Sequence, residues 1–255
     1  MDDIASHPLA GVTEKLKRAD ENIRNLTREI IRFLNEGPGG MIPEEDEKAL
    51  QDAIDRHSKR EIPHRFGVLA GEVVHHLRSS LDHIVWLLSS ETYRSTNPHS
   101  IEFPILARQP TTKDEIRRYE RKVKGVTSST ARTTIEGLQP YRSAIPDDDP
   151  IYIVHNMDRI DKHKELLIVF PAFNLRLDTE VLDKVAFHEL INKTQLTPDE
   201  YAAFNRAVKM NTQLTTQIAF REFGKRKSQP VIPSLLQLAQ FIRDVVLSFM
   251  GEFRS

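Results

Sequence analysis

Residues 71–86, GEVVHHLRSSLDHIVW, concentrate polar side chains that can do chemistry in a run whose other residues favour a helix. The run contains three histidines, two carboxylates and one arginine: His75, His76, His83, Glu72, Asp82 and Arg78. Imidazole exchanges protons near neutral pH, a carboxylate can orient it, and a guanidinium group binds phosphates through paired N–H groups. These residue types point to acid–base chemistry on an anionic substrate. Imidazole and carboxylate together also suit a metal ion.

A helical projection of residues 69–88, at about 100° per residue, separates an apolar arc from a polar one. The polar arc contains a straight ridge made of Glu72, His76, Ser79, His83 and Trp86. One interpretation is an amphipathic helix whose polar face lies in water. A solvated face usually carries lysine and glutamate. This arc has histidines, a tryptophan and no lysine, so we expect a second polar surface to face it.

A predicted helix over residues 151–169 can supply that second surface. On its projection, a polar strip borders the apolar positions, whereas Asp158 and Asp161 are expected to point away from the strip. Two such helices can enclose a polar pocket inside a bundle. The predicted supporting pocket consists of His76, Asn156, Arg159 and His163.

The segment RSSLDH, in which His83 follows Arg78 after four intervening residues, resembles the signature of the HEPN superfamily of helical-bundle proteins. That signature is an arginine, a polar residue and then a histidine, and Arg78, Ser79 and His83 match it here. The resemblance implies a helical bundle that works as a homodimer. For active members it also implies metal-independent ribonuclease activity, often in toxins or defence effectors. The resemblance covers the bundle and nothing after about residue 170.

The same resemblance implies roles for individual side chains. His83 would move the proton of the ribose 2′-hydroxyl or of the leaving oxygen, and Arg78 would bind the scissile phosphate. Glu72 or Asp82 would orient the imidazole. RNA is then the expected partner, and no cofactor is expected. A wider pattern, in which FPI, GLQPY and DRIDKHKELL follow the opening run, resembles bacterial proteins of similar length without an assigned function, which adds no chemistry.

A helical metalloprotein is the first alternative. Glu72 and His75 have the Glu-x-x-His spacing by which ferritin-like carboxylate proteins project two ligands from one helix. His76, His83 and His163 would add nitrogen ligands. Such a site needs a second pair on another core helix, and the proline in EIPH, at 61–64, interrupts the only similar spacing.

A non-catalytic interaction protein is the second alternative. The long first helix and the apolar last helix would form a dimer surface, and the polar residues would form a buried network that specifies the packing. Other chemistries find no support, because the sequence has no P-loop, no dinucleotide-binding glycine motif, no G-x-S-x-G and no H-E-x-x-H.

Composition narrows the class of protein. The chain has 255 residues and no cysteine, which excludes disulfides, thiolate zinc sites and cysteine nucleophiles and fits a cytoplasmic location. The start, MDDIASHPLAGVTEK, has acids where a signal peptide needs a basic region. No uncharged apolar run approaches the ~18 residues of a membrane span, so no membrane association is expected. The net charge of −1 gives no global attraction for nucleic acid, although residues 117–125 and 224–229 are locally basic.

Hydrophobic periodicity predicts a mainly α fold, a helical bundle with a small C-terminal α+β element. The predicted helices span residues 10–36, 68–90, 113–125, 151–169, 196–210 and 234–253, with a weaker one over 43–58. Short strands are expected within 166–187 and 215–223. The predicted domains are a bundle over 1–165 and a small element over 166–255, whose final helix packs back on the bundle.

Overall fold

The structure is a computed structural model that describes residues 7–35, 60–163, 169–177 and 212–253. Contacts divide the chain into two units. The first unit contains Met1–Glu29, Pro63–Val169 and Ala219–Ser255, and the second contains Ile30–Ile62 and Phe170–Ile218. The predicted helices at 43–58 and 196–210 lie outside the described residues. The described part is mainly helical with a small C-terminal strand element, which confirms the predicted fold class.

The two longest helices are α1 (Ala10–Asn35) and α2 (His64–Leu88). Both were predicted from their apolar periodicity, and α2 begins four residues before the predicted position. Pro63 precedes its first residue, where the missing N–H of proline is not needed by the helix. The α1 stripe is buried as expected from its spacing: Val12, Leu16, Ala19, Ile23, Leu26 and Ile30.

Three shorter helices follow: α3 (Glu91–Thr96), α4 (Lys113–Val123) and α5 (Ser129–Gly137). The predicted charged helix is α4, which begins with a capping box between Thr112 and Glu115. The sequence pattern gave no clear element for α5. Its N-cap is Ser128, whose side chain accepts a hydrogen bond from the backbone N–H of Ala131.

The last two helices are α6 (Pro150–His163) and α7 (Val231–Ser248). The acidic run before Pro150 caps α6, since the Asp149 carboxylate accepts a hydrogen bond from the backbone N–H of Ile151. Helix α7 begins three residues before the predicted start, because Pro233 lies in its first turn, where proline is tolerated. It ends before the predicted Phe253, and a short 3₁₀ helix, Met250–Phe253, follows.

Three strands form one sheet in the order β1 (Val169–Leu177), β2 (Thr212–Phe223) and β3 (Arg226–Pro230). In the first unit, the end of β2 pairs antiparallel with β3. Gly224 takes a φ of 62° in the tight turn between them, a conformation that other residues adopt at a cost. The strands confirm the predicted change of period after the helices.

Helix α2 is the centre of the first unit and packs against both α6 and α7. Its apolar arc is fully buried at Val73, Leu77, Leu81 and Ile84. Burying each such side chain stabilises the fold by about 1.5–3 kcal/mol relative to an exposed position. The helix that carries the candidate chemistry is therefore held rigidly from its apolar side.

Among the described helices, α7 alone is long and apolar enough to cross a membrane by length and composition. Core helices of soluble proteins meet the same two criteria. In this fold, one face of α7 is buried, with Leu235, Leu238 and Ile242 almost inaccessible to solvent.

Candidate functional site

The polar arc of α2 consists of two rows that contact two different helices. The first row is the predicted ridge, and its residues Glu72, Ser79 and His83 contact α1. The second row, Gly71, His75, Arg78 and Asp82, lies roughly 90° further round the helix. Gly71 and His75 contact α6. The ridge itself faces α1, although the sequence predicts that the helix over residues 151–169 faces it.

The α1 side is a row of single contacts that runs antiparallel along α2. Lys15 donates a hydrogen bond from Nζ to Oγ of Ser79 (2.8 Å), and Asn22 donates from Nδ2 to Oε2 of Glu72 (2.9 Å). Gly11 lies against the His83 ring so closely that an added Cβ would be 2.6 Å from Cε1. Glycine at this position therefore allows α1 to approach the imidazole.

The surroundings of His76 and His83 on this side favour the neutral form of each ring. Nδ1 of each ring is buried and has no hydrogen-bond partner among the described residues. Burial lowers the pKa of His83, and Lys15 lowers it further. Burial also lowers the pKa of His76, with His75, Lys15 and Arg18 adding to the effect and Glu72 opposing it. Within the described ranges, neither ring has the hydrogen-bonded partner that orients a catalytic imidazole.

The α6 side contains a partnered histidine. Nδ1 of His75 lies 3.1 Å from Oδ1 of Asp158, and Lys162 donates to Oδ2 of the same carboxylate over 2.8 Å. The Asp158 side chain is only 9% exposed, whereas that of His75 is 48% exposed. A buried carboxylate thus contacts Nδ1, while about half of the His75 side chain stays exposed. This is the arrangement of an acid–base pair.

Arg78 is buried beside this pair, and its guanidinium donates two hydrogen bonds. Nη1 donates to Oδ1 of Asp82 (2.6 Å), and Nη2 donates to the carbonyl oxygen of Phe103 (3.1 Å). The same Asp82 oxygen accepts from the backbone N–H of Phe103 (2.9 Å). Arg78 and Asp82 therefore attach the segment around Phe103 to α2. The buried guanidinium of Arg78 adds positive potential, and two of its donors are taken up by Asp82 and Phe103.

His155 on α6 reports that potential. Burial, together with the charges of Arg78, Lys122 and Arg159, lowers the pKa of His155 to about 4, and Asp158 opposes this shift. The imidazole is consequently neutral at pH 7. Arg78, Lys122 and Arg159 thus bring positive charge near this neutral ring, and the Asp158 carboxylate offsets part of it.

The structure separates the two residues of the HEPN-like signature. Arg78 contacts Asp82 and Phe103, whereas His83 contacts Gly11 on α1, and the two positions lie roughly 140° apart around α2. Ser79 is bonded to Lys15. Glu72 accepts a hydrogen bond from Asn22 of α1. Among the described residues, it forms no hydrogen bond with His76 or His83 of the ridge.

The predicted supporting pocket is also divided. His76 lies near Lys15 and Arg18 of α1. Asn156 and Arg159 form a hydrogen bond with each other on the exposed part of α6, from Nη2 to Oδ1 over 2.8 Å. The side chain of His163 lies outside the described residues. For the metal alternative, the described part of the chain contains no group of three histidine or carboxylate side chains arranged to hold a metal ion.

Sequence reasoning missed Asp158 and His155. The expectation that Asp158 and Asp161 point away from the bundle is wrong, because Asp158 faces His75 and the Asp161 carboxylate touches Gly71. The signal was present in the sequence: a glycine at position 71 and a histidine one turn later leave room and a partner for acids on a facing helix. Comparison with protein-family models, curated proteins and solved structures finds no match to this chain. The resemblance to HEPN proteins stays a prediction.

Proposed function

We propose that this protein is a metal-independent endoribonuclease whose acid–base centre is the His75–Asp158 pair. The observation that carries the proposal is the geometry of that pair: a half-exposed imidazole held at 3.1 Å by a buried carboxylate. The HEPN-like interpretation of the sequence predicted the same reaction. The contacts of α2 favour His75 over His83 as the base.

The reaction needs one proton acceptor and a stabilised phosphate. His75 takes the proton of the ribose 2′-hydroxyl through Nε2 as that oxygen forms a bond to phosphorus. The bond from phosphorus to the 5′-oxygen breaks, and the leaving oxygen takes up a proton from solvent. Asp158 stabilises the imidazolium that forms on His75, which is the role of a carboxylate in such pairs. No metal ion takes part in these steps.

The charges around the pair favour an anionic substrate. Lys162 and Arg159 lie on α6 with exposed side chains, and Lys122 is near enough to lower the pKa of His155. Cations placed where negative charge develops contribute strongly to such reactions. The contacts of Arg78 support an indirect role, in which its buried charge raises the potential at the site while its N–H groups bind Asp82 and Phe103.

The test is cleavage of end-labelled single-stranded RNA by purified protein in excess EDTA. We expect wild type to give products that end in a 2′,3′-cyclic phosphate. His75→Gln should lower the rate by about 100-fold or more, since general acid–base catalysis contributes factors of this size. Asp158→Asn should lower it less. His99→Gln is the matched control, because His99 is an exposed histidine away from the pair.

His83→Gln separates the two candidate centres. If His83→Gln abolishes cleavage and His75→Gln does not, the centre is the Arg78–His83 pair predicted by the sequence signature, and the assignment to His75 is wrong. If wild type cleaves no RNA, the His75–Asp158 pair is a packing element and the alternative of a non-catalytic interaction protein is favoured. Circular dichroism of each variant checks that it is folded.

A further inference from the structure

An arginine cluster on α4 is the second charged feature of the first unit. Arg117, Arg118 and Arg121 are exposed, and with Asp114 they line a shallow open depression. None of the three guanidinium groups forms an ion pair with a residue that the structure describes. Three cations and one carboxylate leave this surface with a net positive charge. We call these three arginines the α4 strip.

The α4 strip is continuous with the proposed site. Arg118 lies one helical turn before Lys122, so the two side chains are neighbours on the helix surface. Lys122 forms an ion pair with Glu102 at 2.7 Å, and it is near enough to lower the pKa of His155. Glu102 precedes Phe103, whose backbone is bound by Arg78 and Asp82. Cationic side chains therefore follow one another along α4 from Arg117 to Lys122, where Glu102 offsets part of the charge.

The chemistry of the strip fits a chain of phosphates. A guanidinium group presents two parallel N–H donors that match two phosphate oxygens, and arginine is favoured over lysine for that contact. Arg117 and Arg121 are about 6 Å apart along the helix axis. They can therefore contact successive anionic groups of an extended strand rather than one compact ion. Glu115 caps the helix at its own N-terminus and lies outside the depression.

We propose that the α4 strip binds the phosphate backbone of single-stranded RNA and leads the strand to the His75–Asp158 pair. The path of the RNA strand towards His75 rests on the proposed function. The binding itself depends only on the arginines. The strip reads no base, so it contributes affinity without sequence preference.

The test measures binding of a short fluorescent 2′-O-methyl RNA, which cannot be cleaved because its 2′-oxygen is blocked. The variant is Arg117→Gln/Arg118→Gln/Arg121→Gln. The control is Arg24→Gln/Arg28→Gln/Arg32→Gln, which removes three exposed arginines from α1 and changes the net charge equally. Fluorescence anisotropy is recorded at several salt concentrations. Both variants are compared with the unsubstituted 255-residue chain.

We expect the α4 variant to bind RNA about tenfold or more weakly than wild type near 0.1 M salt. The negative slope of log affinity against log salt should become shallower by about 2, because three phosphate contacts are lost. The α1 variant should stay close to wild type. Equal loss in both triple variants would show a general charge effect and overturn the proposal. Poly-glutamate of equal charge that binds wild type as tightly as RNA would also overturn it, in favour of an acidic protein partner.

Cleavage of unmodified RNA by the same proteins separates this inference from the proposed function. If wild type cleaves RNA and the α4 variant binds RNA as tightly as wild type, the proposed role of the α4 strip is wrong and the ribonuclease proposal stands. If RNA binding depends on the α4 strip but wild type does not cleave RNA, the proposed role of the strip is supported and the ribonuclease proposal is wrong. If both hold, the ratio kcat/KM of the α4 variant falls by about the same factor as its affinity.

Discussion

The two polar rows of α2 face two helices and are partnered differently. On the α1 side, His76 and His83 have buried ring nitrogens without hydrogen bonds, and their pKa values are lowered by burial. On the α6 side, His75 is bound to Asp158 and keeps half of its side chain exposed. The same residue type thus serves packing on one side and suits proton transfer on the other. The partner of the imidazole, and not its position in a motif, distinguishes the two sides.

Among the variants that compare the two sides of α2, we expect the substitution of Arg78 to change the free energy of unfolding most. Arg78→Met leaves Asp82 without its cation and removes the donor to Phe103, so we expect a loss of about 3 kcal/mol in the free energy of unfolding, as for other broken buried pairs. The control is Arg18→Met, which removes the exposed pair with Glu21 and should cost less than about 1 kcal/mol. Urea denaturation measures both.

A small loss for Arg78→Met, similar to that of the control, would mean that Asp82 and Phe103 keep their arrangement without the guanidinium. The α6 side would then lose its buried support for the site. In that case, the second row of α2 would not be more strongly held by its polar contacts than the first.

The next effect compares the two glycines at which the helices approach. Gly71→Ala places a methyl group into the Asp161 carboxylate, and Gly11→Ala places one 2.6 Å from Cε1 of His83. We expect each to cost about 1–3 kcal/mol, as for overpacked cores. Gly11→Ala should cost less, because the His83 ring has no hydrogen bond at Nδ1 to hold it.

Gly137→Ala is the matched control for both glycine variants. Nothing lies within 4 Å of a Cβ built at Gly137, so we expect no loss, and a gain of up to about 1 kcal/mol from helix propensity. The double variant Gly11→Ala/His83→Ala should recover part of the loss of Gly11→Ala. Thermal unfolding of the four proteins decides the matter, and equal stability of Gly71→Ala and Gly137→Ala would refute the close approach of α6.

The periodicity of the sequence predicts the helices well but not their neighbours. The ridge of α2 and the buried stripe of α1 follow from spacing alone, because apolar side chains must share one face. Which helix faces the ridge depends on contacts such as Ser79 with Lys15, residues 64 positions apart, and spacing within one helix carries no information about them. For this reason the ridge was assigned to the wrong neighbour.

The candidate site shows the same limit more sharply. The projection of α6 was oriented by its apolar residues, which places acids on the solvent side. Asp158 is nevertheless almost fully buried, a rare position for a carboxylate, and it is compatible with burial only because His75 and Lys162 bind it. A prediction from residue types alone places every aspartate on the surface. The pairing that makes this one an exception exists only in three dimensions.

The smallest effect concerns proton binding on the α1 side. Because the fold lowers the pKa of His76 and His83, the neutral rings favour the folded state above about pH 6.5, the pKa of an unperturbed histidine. That contribution is lost as the pH falls from about 6.5 towards the lowered pKa values, since only the unfolded chain binds the protons in this range. We expect the free energy of unfolding to decline with acid in that window.

Lys15→Met should change the titration of the histidines on the α1 side of α2 only. Removing the ammonium group raises the pKa of both His76 and His83, because Lys15 contributes to lowering each. His155 should still titrate near its pKa of about 4, since the cations that act on it are Arg78, Lys122 and Arg159. Lys122→Met is the reciprocal variant and should raise the pKa of His155 only. NMR titration of the imidazole protons resolves each ring, and a shift of His155 in Lys15→Met would show that the charge of Lys15 also acts on the α6 side.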